Sequence, residues 1–84
     1  ASDYTFQDLK NLESNYEASL TELGKTSSTL SLIRGLARLN AFYLNNTKGA
    51  IELLTEAIKL SGLKPKDKAY CKLELADILL LKGF

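Results

Sequence analysis

Apolar residues return at every third or fourth position along nearly the whole chain, and that spacing restricts it to helices. In the first segment the series is Phe6, Leu9, Leu12, Tyr16, Leu20 and Leu23. At about 100° per residue these side chains fall on one stripe. Lys10, Asn11, Glu17 and Thr21 fall on the opposite, wet side. No alternating run of strand length competes with this pattern. Leucine dominates the apolar set, valine is absent and isoleucine is rare, a choice that favours helices over strands. The fold class is therefore all-α.

Four helices account for almost every residue, at about 5–23, 28–44, 47–61 and 65–82, within a single domain spanning residues 1–84. Thr5 is placed to cap the first, with Asp8 three residues on and Tyr4 placed to staple onto Leu9. Gly24 ends that helix, and Ser27 or Ser28 caps the second. The second helix is apolar over most of its circumference and leaves only Ser31, Arg34 and Arg38 as a polar strip, so it should pack on several sides. Asn45, Asn46 and Thr47 form a turn and a cap, Gly62 terminates the third helix, and Pro65 suits the first turn of the fourth. Such short connections make neighbouring helices antiparallel.

Several kinds of function are disfavoured by what the chain contains. With 45% apolar and 25% charged residues it has an ordinary globular balance. Its net charge is +1 without a dense basic cluster, so nucleic acid is not an expected partner; Arg34 and Arg38 read as a solvated strip. Histidine is absent, which removes the commonest general base and metal ligand. Cys71 has no histidine to activate it and reads as a packed, inert thiol. Glu13, Glu17 and Glu22 lie on the wet side of helix 1, and Glu52 and Glu56 have Lys48 and Lys59 within helical reach. Glu74 and Asp77 lie among leucines and read as the wet edge of helix 4. No glycine-rich phosphate loop is present. An enzyme is not expected, nor a cofactor or bound metal. No run reaches membrane-spanning length, so membrane insertion is not expected either. Methionine is absent even at residue 1, which reads as a piece of a longer protein; cytoplasmic and cell-envelope parents both stay open.

Helices 2 and 3 resemble one unit of the tetratricopeptide repeat family, a 34-residue helix pair. The segment Leu36 to Leu60 reads LARLNAFYLNNTKGAIELLTEAIKL, with Ala50-Ile51, Leu54, Ala57-Ile58 and Leu60 spaced as in the family's second helix. Alanines seven apart nearly align on one face, as a close helix crossing needs. Helix 4, ending LELADILLLKGF, is similar to the first helix of the next repeat through Leu75-Ala76, Leu79 and the turn glycine Gly83. The likeness covers roughly Leu30 to Phe84. It departs from the family at Leu36-Ala37, where a Leu-Gly pair is usual, and in the longer turn at Leu63-Lys64-Pro65-Lys66; helix 1 matches poorly.

The resemblance implies a right-handed superhelical fragment that acts as a protein–protein interaction scaffold. Its inner groove would take Leu39, Phe42 and Tyr43 from helix 2, and Tyr70 and Asp77 from helix 4. The lysine and asparagine set with which some members hold a partner's terminal carboxylate is incomplete, since only Asn40 and Lys72 are present. The alternative is a structural or dimerising antiparallel bundle without a groove ligand. Helix 4 bears on both readings, because it has almost no wet face. Leu75, Ile78, Leu79 and Leu81 are expected to form a self-association face, covered by a further helix of the parent or by a second copy.

Overall fold

The computed structural model describes residues 3–82, and over those residues it holds four α-helices and no strand. They are α1 (Phe6–Leu23), α2 (Leu30–Phe42), α3 (Thr47–Ile58) and α4 (Pro65–Leu81), with one 3-10 turn, Ser27–Thr29, leading into α2. Gly83 and Phe84, which the sequence pattern places in the turn after helix 4, lie outside the described residues.

Local chemistry sets the helix ends. The Thr5 hydroxyl accepts from the Asp8 N–H at 3.1 Å, and the Asp8 carboxylate accepts from the Thr5 N–H at 3.0 Å, a reciprocal cap on α1. Before α2 the capping residues are threonines, not Ser27 or Ser28. Thr26 accepts from the Ser28 N–H at 3.2 Å. The buried Thr29 hydroxyl accepts from the Thr26 N–H at 2.9 Å and donates to the Gly24 carbonyl at 2.7 Å. One hydroxyl thus closes the end of α1 and the start of the next turn, and this tight turn delays α2 to Leu30. Asn46 caps α3 by accepting from the Gly49 N–H at 3.0 Å, while Asn45 takes the left-handed conformation (φ 54°) that asparagine tolerates. At the end of α3 the Lys59 and Leu60 N–H groups reach carbonyls three residues back, at 3.1 Å each, so the regular helix stops at Ile58.

The broad apolar arc of α2 makes it the centre of the molecule. It packs against α1 on one flank and α3 on the other, and α3 carries α4. Ile33, Leu36, Ala37 and Ala41 of α2 are buried with Ala50, Leu54 and Ala57 of α3. The two alanines seven apart therefore both sit at a close crossing. Gly35 allows a second close approach: a β-carbon there would lie 2.6 Å from the Tyr16 hydroxyl of α1. Alternate helices are tied together as well. Glu74 of α4 accepts a hydrogen bond from Arg34 of α2, and Lys25, just after α1, lies 3.7 Å from Glu56 of α3. The outline measures 37 × 32 × 21 Å, so its thinnest dimension is about two helix diameters.

Candidate interaction surface

The fourth helix is apolar on two opposite sides. Its inner line is Cys71, Leu75 and Ile78; Cys71 and Ile78 are buried and Leu75 packs half-buried against the core. Its outer line is Ala69, Leu73, Ala76 and Leu80, all exposed, with Leu73 at 62% and Leu80 at 81%. The two lines point in opposite directions, so the one-sided amphipathic pattern of an ordinary surface helix is missing.

This arrangement corrects the expected self-association face. Ile78 is 1% exposed and Leu75 is held in the core, so neither reaches a partner. Leu79 and Leu81 are exposed but flank the outer line on different sides. The reason is geometric. Leucine crowding in LELADILLL hides which arc faces the core; Cys71 and Ile78, seven apart, fix the buried line, and Leu73, Ala76 and Leu80 then fall on the far side.

The outer line has a further regularity. Ala69, Leu73, Ala76 and Leu80 alternate steps of four and three, so alanine and leucine each recur after seven residues, the heptad spacing that suits a second helix laid alongside. Large and small residues alternate along it. Tyr70 and Asp77 flank it on one side, Lys72 and Leu79 on the other.

The five expected groove residues divide between two surfaces. Leu39 and Tyr43 face α1, where they line a mainly apolar groove of about 550 Å³ with Tyr4, Leu9 and Leu12. Leu39 is buried there. Phe42, Tyr70 and Asp77 lie elsewhere. The Phe42 ring has Lys82 over it at 5.6 Å, and the Tyr70 ring has Arg34 at 5.2 Å and Lys66 at 5.9 Å. Asp77 is exposed on α4. A continuous groove through all five does not form, because on α2 Phe42 lies roughly a quarter turn from Tyr43 at about 100° per residue.

Polar residues converge at the α2–α4 seam, which sequence spacing gave no means of finding. Arg34 donates to Glu74, and Arg38 Nη1 lies 3.5 Å from the other oxygen of the same carboxylate. Arg34 and Glu74 are largely enclosed, unlike the solvated strip and wet edge expected of them. Glu13 also turns inward, bonded by Lys10, because on α1 it falls beside Leu9 and Leu20, within about 40° of each at about 100° per residue. Beside the seam, burial pushes the Cys71 thiol above its ordinary range, Arg34 pulls it back, and Glu74 and Asp67 push it up again. A further groove of about 410 Å³ runs between α1 and α3 over Leu36 and Asn40; the buried Asn40 Oδ1 has no hydrogen-bond partner.

Among the described residues no group of three or more histidine, cysteine, aspartate or glutamate side chains is placed to hold a metal ion. Among them no helix is long and apolar enough to cross a membrane. No family model, no curated protein and no solved structure matches the chain. Among the described residues the outer line of α4 is an exposed apolar row with no packing role in the fold, and Phe6 and Leu23 of α1 are exposed as well.

Proposed function

We propose that this chain is a protein–protein interaction module, a tetratricopeptide-like helical segment that works by docking a helix of another protein against α4. The observation that carries this reading is the exposed outer line Ala69, Leu73, Ala76 and Leu80. Water-facing leucines contribute nothing to the fold of the isolated chain, and a helix with a 3.5-residue seam offers a partner helix ridges and gaps to fill. The order of helices and the buried alanines of the α2–α3 crossing support the likeness to tetratricopeptide pairs, in which one helix pair stacks on the next. The split of Leu39 and Tyr43 from Phe42, Tyr70 and Asp77 favours docking on α4 over a peptide held in an inner groove.

Site-specific photocrosslinking tests this. With benzoylphenylalanine in place of Leu73, crosslinking in the cells that make the protein is expected to give discrete adducts with another polypeptide. Leu80→Glu in the same chain should abolish them while leaving the melting temperature within about 2 °C, since an exposed substitution costs little. Adducts that survive Leu80→Glu, or none at all, would remove the reading.

A further inference from the structure

The outer line of α4 carries a size pattern that reads the same when the helix is reversed with large and small exchanged. Along the chain it runs small, large, small, large: Ala69, Leu73, Ala76, Leu80. Laid against a second α4 in the antiparallel sense, about a twofold axis between residues 74 and 75, Leu73 meets the second copy's residue 76 and Leu80 meets its residue 69. Each leucine then fills the space over an alanine. In the parallel sense leucine meets leucine and alanine meets alanine, which leaves the alanine layers underpacked. The flanks agree with the antiparallel sense. On one flank Tyr70 comes within about 3 Å along the axis of the second copy's residue 77, an aspartate able to accept from a phenol, and on the other the Lys72 stem comes equally near its residue 79, a leucine.

We infer that α4 is a homodimerisation helix, and that the first occupant of its outer line is a second copy of this chain, packed antiparallel about a twofold axis. The inference rests on the proposed role of that line as a docking face and adds the occupant that covers it when no other protein is bound. All four seam residues are already exposed, so the contact forms without any change in the fold. Four layers of a single helix pair bury less than the roughly 800 Å² per partner of a standard stable interface. The dimer is therefore weak and transient, and can be displaced by a longer partner helix.

Sedimentation equilibrium of the 84-residue chain between 10 μM and 1 mM should follow a monomer–dimer isotherm. Leu73→Glu/Leu80→Glu should weaken it at least thirtyfold and keep the same helical circular dichroism. Orientation is read by disulfide trapping in a Cys71→Ala background. A chain with Ala69→Cys, mixed with one carrying Leu80→Cys, should give the mixed disulfide and little of either like pair. Like pairs dominating the mixture would overturn the antiparallel arrangement. A chain still monomeric at 1 mM would overturn the homodimer. If that monomer nonetheless gives partner adducts from position 73, the docking face survives without self-association; if it gives none, both readings fall.

Discussion

Cys71 shows how far one buried side chain constrains its surroundings. It is fully enclosed, with Arg34, Glu74 and Asp67 acting on its thiol electrostatically. Burial disfavours the thiolate most, and the two carboxylates add to that effect against the pull of Arg34. A thiol whose folded value is raised stabilises the fold in its protonated form. That contribution is fully present below the ordinary value of 9.0 and is lost as pH climbs through the raised one. The stability gap between the wild type and Cys71→Ala is therefore expected to be constant from pH 6 to about 8 and to narrow above about 9, as read from urea midpoints. A gap that stays level to pH 10.5 would contradict this. The burial of Cys71 was legible in the sequence, from the apolar run around it. Asp67 and Glu74, four and three residues away on the same helix, were equally readable; Arg34 was not, because it stands 37 residues away on α2.

Two kinds of information decide the helices, and they differ in how visible they are from the sequence. Periodicity locates the elements, since three- and four-residue spacing is a property of a single segment; the caps at Thr5 and Asn46 and the proline of α4 were readable for the same reason. The buried pair Ala50 and Ala57 was also readable, because small residues seven apart mark a crossing whatever lies on the other side. The rotation of α4 about its axis was not readable. It carries apolar residues on two sides, and only the tertiary partner shows which side is inside. The partner includes a charge: Arg34 and Arg38 meet Glu74 at the seam. Glu74→Ala is expected to cost about 1–3 kcal/mol, most of it from leaving a largely enclosed guanidinium without its carboxylate. Replacing both partners by apolar residues of similar volume, Arg34→Met/Glu74→Leu, should return to within about 1 kcal/mol of wild type. Urea denaturation of Arg34→Met, Glu74→Leu and the double variant closes the cycle, and a double variant as unstable as Glu74→Leu would count against this account.

At the scale of the whole molecule, α2 is the hub and α1 is its least anchored neighbour. Eight residues of α2 are buried, against Leu20 alone in α1. Local opening follows buried contact, so α1 amides should exchange with solvent roughly tenfold or more faster than those of α2 under native conditions. Uniform protection across both helices would mean that α1 is held more firmly than its packing suggests. The same view of the molecule returns to α4. Rolled half a turn about its axis, this helix would still offer α3 a continuous oily edge, Ala69, Leu73, Ala76 and Leu80, and burial energy alone would hardly tell the two poses apart. What distinguishes them is the polar seam, above all the carboxylate of Glu74, with the Tyr70 ring under Arg34 beside it. In the observed pose Glu74 lies against Arg34; in the rolled pose it would face water and strand the guanidinium. The ion pair therefore works less as a source of strength than as a rotational key, choosing which of two apolar edges the chain keeps for itself and which it shows to others.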